Sequence, residues 1–532
     1  MGLLDNVKRA TWIYKEILKM KSTAKTVSIV MIIMVFSRLL SFVSVSLYTT
    51  FFGKDDVYIN IYSLAIQIPN IVFTVFGTAL TTVVIPIFSG NLEAGNKTRA
   101  YRFADNAISL ATVFTILLAL VGMLIAPIIP LVTEFKTNGY DFAVTALRIM
   151  FPIMIFFALN YIFQGILQSL GKFNWPAFVS VPSSLIVIVY VLTLGKRFGV
   201  MGLLIATFIG LSTQALILIP PILKTDYRFR PSLNYRDEDI RKAVKLMIPV
   251  MIGTSAYPLN SLFNVIIAAN LKNMVLILSF AQNLVSYAVL AFVFSVTAVI
   301  FPKFSVLAAR GEMGEFKDSL VKVLTSIFYF LLPTTAGFIL VRKELLNLVV
   351  GWGKITPDAV NLASMLLALY AIGIIGTGVK EVVDRAFYAL NDTKRPAVIG
   401  VIIMAVNISL SLLLLRIIGV YGIPLANSIA ILTGAAVLVL MLRKKIGAFG
   451  GKKLAKGIFK IALSCIIMAA VVLPLIWVVN RFTFGGVLVD RAIKLMVPAA
   501  VGALIYFAAT YILKVDEAVE VLTKARAKVL KK

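Results

Sequence analysis

The sequence predicts an all-α protein that crosses a membrane about fourteen times. Three observations lead to this class: 60% of the 532 residues are hydrophobic, only 14% are charged, and apolar runs of spanning length recur along the whole chain. A membrane-spanning helix needs about 20 mostly apolar residues. A mean hydropathy of +0.96 lies far above that of soluble globular domains. We therefore expect a polytopic membrane protein.

The formal net charge of +28 is interpreted as a topology signal and not as a nucleic-acid surface. Lys and Arg lie in short segments between the apolar runs, and those on the side of the N-terminus outnumber those on the opposite side by three to one. By the positive-inside rule, this bias predicts cytoplasmic N- and C-termini in a bacterial plasma membrane. An even number of spans requires both termini to share a side.

Catalytic chemistry has few side chains to use in this sequence. The chain has no histidine and one cysteine, Cys465, which lies in an apolar run. Histidine is the commonest general base and metal ligand, so triad-type or metal-dependent chemistry is disfavoured. The phosphate-binding loop of ATPases is absent as well. We expect a protein that is not an enzyme and uses no metal and no cofactor.

Each long apolar run is assigned one span, in chain order. Before the first of them, apolar and basic residues interleave, which is typical of an amphipathic helix on an anionic membrane surface. The predicted spans are 26–52, 57–88, 104–132, 142–170, 175–195, 199–223, 246–271, 273–301, 321–341, 358–390, 396–415, 420–442, 461–480 and 492–513. The predicted regions are an amphipathic cytoplasmic segment (1–25), a first six-helix lobe (26–223), a cytoplasmic linker (224–245), a second six-helix lobe (246–442), a basic cytoplasmic linker (443–460), two C-terminal helices (461–513) and a basic cytoplasmic tail (514–532).

The two lobes are predicted to be copies of one another. Glycines and prolines of the first lobe recur in the second at an offset of 216 or 220 residues. The matching positions are Pro86 with Pro302, Gly95 with Gly311, Pro176 with Pro396, Gly199 with Gly419, and Gly202 with Gly422. Because six spans are duplicated, both copies enter the membrane from the same side. Such parallel repeats are typical of alternating-access transporters.

Arg38 lies near the middle of the first predicted span. An arginine at this depth is disfavoured by roughly 2.5–3.5 kcal/mol on insertion scales, so it normally faces a watery cavity or a polar partner. We interpret Arg38 as a cavity residue that contacts the cargo. The alternative is a structural tie between two helices.

The tenth predicted span carries four charged residues. Lys380 and Asp384 are four residues apart, as are Glu381 and Arg385, so opposite charges meet one helical turn away. Lys380 is the deepest of the four and is predicted to face the cavity. For Arg385, a cavity role and extension of the side chain to the membrane surface remain alternatives.

The chain resembles the MurJ family of lipid II flippases, within the multidrug/oligosaccharidyl-lipid/polysaccharide exporter superfamily. The resemblance runs from the stretch around Arg38 to the last two spans. Its most specific part is the sequence RAFYALNDTKRP at 385–396. It implies two six-helix lobes that form a V around a central cationic cavity, and a terminal helix pair that forms a groove for a lipid tail.

The sequence also departs from that family at the expected cavity charges. Where the resemblance implies further arginines or an Arg-Asp pair, this chain has neutral residues, so Arg38 alone remains of that set. Where the resemblance implies an acid in the first outer region, this chain has Asn60. The departing positions are Ser44, Val45, Phe73 and Asn283, and Asn60 and Asn283 are predicted to line the cavity.

We therefore expect a flippase that moves a lipid-linked anionic saccharide, by implication lipid II, from the inner to the outer leaflet. Membrane lipids are the other expected partners, and membrane potential or an unidentified ion is the expected driving force. Two alternatives stay open: an exporter of another lipid-linked oligosaccharide, and an antiporter of drugs or organic cations. A cationic cargo would call for unpaired acids in the spans, whereas Glu381 and Asp384 each have a basic neighbour.

Overall fold

In a computed structural model of the protein, residues 33, 36–53, 56–351, 355–390, 392–519 and 523 are described. The helices in this part of the chain are α1 (Phe36–Phe52), α2 (Val57–Glu93), α3 (Lys97–Ile125), α4 (Ile128–Leu131), α5 (Tyr140–Met150), α6 (Ile153–Ser169), α7 (Asn174–Phe178), α8 (Ser180–Thr193), α9 (Gly195–Leu216), α10 (Ile219–Leu223), α11 (Glu238–Ala269), α12 (Val275–Ala309), α13 (Met313–Leu340), α14 (Arg342–Val350), α15 (Pro357–Ile372), α16 (Ile374–Ala389), α17 (Lys394–Ile418), α18 (Gly422–Ile446), α19 (Gly451–Val479) and α20 (Val487–Ile512). Two short 3₁₀ turns lie at Glu134–Lys136 and Gly419–Tyr421. The predicted all-α polytopic class is confirmed.

Within the described residues, each predicted span coincides with a helix or with two short consecutive helices. The helix ends differ from the predicted ends, because polar turns continue a helix beyond its apolar part: α3 begins at Lys97 and α19 at Gly451. The predicted span 142–170 is divided into α5 and α6 just before Pro152, as a proline disfavours the helical conformation of the preceding residue. The amphipathic segment 1–25 lies outside the described residues, as does most of the tail after residue 519.

The duplication is visible in the backbone. Gly199 and Gly419 adopt nearly the same left-handed conformation, with φ/ψ of 58°/−148° and 63°/−145°. Gly95 and Gly311 also match, at φ of 75° and 71°. Only glycine adopts positive φ without steric cost, which explains why these glycines recur at fixed offsets. The predicted six-helix repeat is therefore confirmed.

Chain contacts divide the protein into two compact units. Of the described residues, those up to 48 and those in 65–131 and 140–251 form unit 1, and those in 49–64, in 132–139 and from 252 onward form unit 2. In unit 1, α3 packs on α6, and α8 packs on α9. In unit 2, α13 packs on both α16 and α19, so it separates the tenth predicted span from the terminal helices α19 and α20.

The start of α11 is fastened to the start of α3 within unit 1. Arg99 donates from Nε to Asp239 Oδ2 over 2.7 Å and from Nη2 to Asp239 Oδ1 over 2.8 Å. Asn91 donates to the same carboxylate over 3.0 Å. The hydrogen bonds from Arg99, together with its charge, hold the pKa of Asp239 below its ordinary value.

Replacement of Asp239 by alanine is expected to lower the melting temperature by a few degrees at pH 7. The folded protein depresses the pKa of Asp239, so the stabilisation is fully present above the unfolded pKa of about 3.9 and is lost as pH falls through the folded value. The difference in melting temperature between the wild type and the variant should therefore begin to shrink below about pH 4. A constant difference between the two proteins from pH 7 to pH 3 would contradict the assignment.

A buried amide cluster joins α11 and α17 in unit 2. Asn407 Nδ2 donates to Asn260 Oδ1 over 2.7 Å and to Asn264 Oδ1 over 3.0 Å. All three side chains are buried. Polar bonds of this kind between spans contribute about 0.6 kcal/mol each on average. These three asparagines therefore hold α11 and α17 together.

Candidate functional site

An ion pair lies on α16 in the tenth predicted span. Lys380 Nζ is 2.6 Å from Asp384 Oδ2, and the side chains are 21% and 7% exposed. The other carboxylate oxygen, Asp384 Oδ1, is buried and makes no hydrogen bond to the described residues. A charge in such a position is costly unless it is paired. The predicted i,i+4 contact between Lys380 and Asp384 is therefore present.

Lys380 keeps capacity for a second partner. An ammonium group has three N–H donors, and one of them is directed at Asp384. A phosphate oxygen approaching the partly exposed Nζ can accept another donor without breaking the ion pair. The hydrogen bond to Asp384 orients the amine.

The second predicted pair on α16 is looser. Arg385 Nη2 is 3.8 Å from Glu381 Oε2, and both side chains are about one third exposed. The guanidinium also lies over two aromatic rings, with Cζ 5.8 Å from the centroid of Phe301 and 5.9 Å from that of Tyr388. A planar guanidinium suits such stacking. Arg385 therefore contacts Glu381, Phe301 and Tyr388.

The end of the sequence RAFYALNDTKRP forms hydrogen bonds that connect helices. Asp392 Oδ2 accepts hydrogen bonds from Lys445 Nζ, at 2.7 Å, and from Arg395 Nη1, at 3.0 Å. Burial favours the neutral acid, but the bonds from Lys445 and Arg395 prevail and hold the pKa of Asp392 below its ordinary value. Through these contacts the turn after α16 is tied to α17 and to the end of α18. The most recognisable stretch of the chain therefore positions α16 from its C-terminal end.

Arg38 lies on α1, in unit 1, and its side chain is exposed. One residue earlier, the Ser37 hydroxyl is buried and donates to the carbonyl oxygen of Ala177 over 3.2 Å. Ser41, one turn further on, is 3.0 Å from the hydroxyl of Ser184. This small-residue face packs α1 on α7 and α8 and leaves Arg38 on another face.

The structure explains two of the neutral residues found where arginines were expected. Ser44 is 6% exposed and continues the packed face of α1. Phe73 is 1% exposed and stacks with Phe157 and Tyr161, at centroid distances of 5.9 Å for each. A guanidinium at either position would have to be accommodated inside packed helices. These positions build the interior of unit 1.

Asn60 and Asn283 differ in their surroundings. Asn60 is fully buried; its Oδ1 accepts from the backbone N–H of Leu276 over 3.1 Å, and its Nδ2 donates to the carbonyl oxygen of Asp56 over 3.1 Å. These bonds fix the start of α12, so the geometry favours a structural part for Asn60. Asn283, by contrast, is exposed on α12.

Helix α6 carries a neutral counterpart of the ion pair between Lys380 and Asp384, which the sequence analysis did not identify. Gln164 Nε2 donates to Asn160 Oδ1 over 3.0 Å on α6. These residues precede Asp384 and Lys380 by 220 positions, the offset of the repeat. The same helical turn therefore carries a neutral pair in unit 1 and an ion pair in unit 2. A comparison of all polar residues at the offset of 220 positions would have revealed this neutral pair.

An apolar groove lies between α13, α19 and α20 in unit 2. It encloses a cavity of about 260 Å³, and its lining residues include Phe330, Pro333, Gly337, Met468, Val472 and Gly502. Tyr506 also lines the groove, and its hydroxyl donates to the carbonyl oxygen of Tyr329 over 2.6 Å. The groove suits a hydrocarbon chain, as the resemblance implied for the terminal helix pair.

Within the described residues, no cluster of three or more His, Cys, Asp or Glu side chains could hold a metal ion. A duplicated six-helix membrane fold with charges inside its spans defines a transporter of the alternating-access type.

The chain belongs to the lipid II flippase MurJ family, whose family model matches residues 48–492. A probable lipid II flippase MurJ of Bdellovibrio bacteriovorus is 25% identical over 400 residues, which cover 73% of this chain and 76% of that protein. The corresponding protein of Rickettsia prowazekii is 23% identical over 461 residues, or 85% of this chain and 90% of that one.

Solved structures agree with this assignment at the level of the fold. A lipid II flippase MurJ in an inward closed conformation superposes with a TM-score of 0.77 at 22% identity, over 91% of this chain and 98% of that chain. An inward-facing multidrug resistance MATE family transporter gives a TM-score of 0.64 at 14% identity, over 77% and 95% of the two chains. As a member of a transporter family, the protein is not an enzyme.

Proposed function

We propose that this protein moves lipid II from the inner to the outer leaflet of the bacterial plasma membrane. One observation carries the proposal beyond family membership. Helix α13 packs on α16, which holds Lys380, and on α19, which lines the apolar groove. A single helix thus connects a site for an anionic headgroup with a site for a lipid tail.

The diphosphate of the cargo is bound by cationic side chains inside the spans. Arg38 is exposed on α1 and offers a planar guanidinium that bonds phosphate oxygens bidentately. Lys380 adds a point charge that Asp384 holds in place. Each hydrogen bond to a charged group contributes about 1.5–3 kcal/mol. These contacts replace part of the hydration that a diphosphate loses inside the membrane.

Movement of the headgroup is driven by the membrane potential. The pair of Lys380 and Asp384 has no net charge, so it does not neutralise the negative charge of the cargo. An inside-negative potential favours outward transfer of each uncompensated negative charge by about 2.3 kcal/mol per 100 mV. Transport is therefore expected to slow when the potential is collapsed.

Both termini lie in the cytoplasm in this proposal. The support is the bias of Lys and Arg toward one set of connections and the even number of spans. A reporter that is active only outside the plasma membrane should stay inactive when it is fused after Lys532. Activity of that fusion would overturn the orientation, while a fusion in the predicted outer connection 342–357 supplies the positive control.

An organic-cation antiporter is the second candidate, on account of the fold shared with the MATE transporter. Such a cargo needs an available carboxylate in the spans. Asp384 is bound to Lys380, and Glu381 lies beside Arg385. The arrangement therefore favours an anionic cargo.

Complementation tests the proposed function. Cells depleted of their own lipid II flippase should grow and keep their shape when this chain is expressed. Lysis despite normal membrane insertion would contradict lipid II as the cargo, and accumulation of a different lipid-linked saccharide in a deletion strain would point to another exporter of the same class.

A further inference from the structure

The segment between α10 and α11, residues 224–237, is hydrogen-bonded to α3 in unit 1. Alternate backbone N–H groups of the segment donate to side chains of α3. The pairs are Arg230 to Asp105 Oδ1 at 2.9 Å, Ser232 to Ser109 Oγ at 3.1 Å, and Asn234 to Asn106 Oδ1 at 3.1 Å. The Tyr227 hydroxyl donates to Asp105 Oδ1 as well, over 2.7 Å. This part of the predicted linker 224–245 therefore packs as an ordered segment of unit 1.

A cavity of about 730 Å³ lies between this segment and helices α3, α6 and α10. Its volume is in the range of small-molecule pockets, about 300–1,000 Å³. The lining is almost wholly apolar and includes Val113, Phe163 and Phe229. Phe163 is buried, whereas Phe229 is 47% exposed, so the cavity runs from the interior of unit 1 to its surface.

Cationic residues alternate with the lining residues along the segment. Lys224 follows Leu223, and Arg228 and Arg230 flank Phe229. Arg228 Nη1 is fixed by the carbonyl oxygens of Leu223, at 2.9 Å, and Thr225, at 2.9 Å.

Arg230 is exposed and takes part in none of the ion pairs found among the described residues. The nearby acids are used elsewhere. Asp105 accepts from the segment, Asp226 pairs with Lys97, and Asp237 pairs with Arg102. The mouth of the cavity therefore has a net positive charge.

We propose that this cavity holds an acyl chain of a resident anionic phospholipid, such as phosphatidylglycerol, whose phosphate is bound by Arg228 and Arg230. An apolar cavity with cations at its mouth complements an anionic amphiphile, and basic pockets between spans on the cytoplasmic side bind such headgroups. The bound lipid would fasten segment 224–237 where it leads into α11. Its placement in the inner leaflet rests on the proposed orientation; the binding itself does not.

Native mass spectrometry of the full-length protein in detergent tests the site. Phosphatidylglycerol should be retained in preference to phosphatidylcholine. Arg230→Gln should weaken retention of phosphatidylglycerol about fivefold, the contribution of one cation near a membrane surface. Val113→Trp, which introduces a larger side chain at the cavity wall, should reduce retention. Arg241→Gln, an equal change of charge at an exposed residue of α11, is the matched control and should bind as the wild type does.

Several outcomes would overturn the proposal. These are equal retention of the two phospholipids, equal binding by Arg230→Gln and Arg241→Gln, or full retention by a folded Val113→Trp variant. Displacement by inorganic phosphate would reveal a site for the headgroup alone, and one-for-one displacement by lipid II would reveal a cargo site. Since no transport is measured, the result stands apart from the test of the proposed function.

Discussion

Arg38→Ala is expected to abolish transport while leaving the protein folded in the membrane. The Arg38 side chain is exposed, whereas α1 is packed through Ser37 and Ser41, so loss of the guanidinium leaves those packing contacts in place. Loss of a bidentate bond to phosphate corresponds to about 3 kcal/mol, or about 100-fold in transport rate. Arg38→Lys should retain partial activity, because a point charge does not reproduce the planar grip.

Complementation by each variant, normalised to its amount in the membrane, measures the effect. Ser37→Ala is a useful comparison, since it removes one helix contact beside Arg38 without changing charge. A structural role predicts similar losses from Ser37→Ala and Arg38→Ala. Normal growth with Arg38→Ala would show that Arg38 is not a cargo contact.

Both members of the ion pair on α16 are expected to be required, and the charge-swapped double variant is expected to remain inactive. Lys380→Ala strands a carboxylate that is 7% exposed, with a cost of about 3–5 kcal/mol for an unpaired buried charge. Asp384→Ala should be milder, because Lys380 is 21% exposed and can reach water. In the double variant Lys380→Asp and Asp384→Lys, the two side chains still attract each other, but the positive charge is moved to position 384, away from the place where the cargo is proposed to bind.

Complementation and thermal stability should be measured together for these variants. The corresponding exchange of Glu381 and Arg385, which are more exposed, is the matched control and should keep much of its activity. Full rescue by the exchange of Lys380 and Asp384 would reduce the pair to a structural bridge. In that case Arg38 would remain as the cationic contact of the proposed site.

Much of the fold is predictable because the membrane restricts it. Apolar length fixes the spans, and paired glycines such as Gly199 and Gly419 report the duplication, since positive φ leaves few other choices at those turns. The contact between Lys380 and Asp384 also follows from helical spacing.

Other features depend on packing between distant segments and were beyond prediction. Asn160 and Gln164 are neutral, so they lack the large free-energy cost of a charge inside a span that drew attention to Arg38 and Lys380. Asn60 resembled a cavity residue, yet it is buried against the start of α12. Segment 224–237 lacks any periodic pattern, and its cavity arises from backbone bonds to α3 that a sequence does not display.

The most direct test of the account is lipid II movement in reconstituted vesicles. Fluorescent lipid II should become accessible to an impermeant quencher in vesicles that contain the wild-type protein, faster when an inside-negative potential is imposed on protein molecules oriented as in the cell. Vesicles with Arg38→Ala should resemble vesicles without protein. Equal rates for wild-type and protein-free vesicles at matched potential would contradict the claim that this chain flips lipid II.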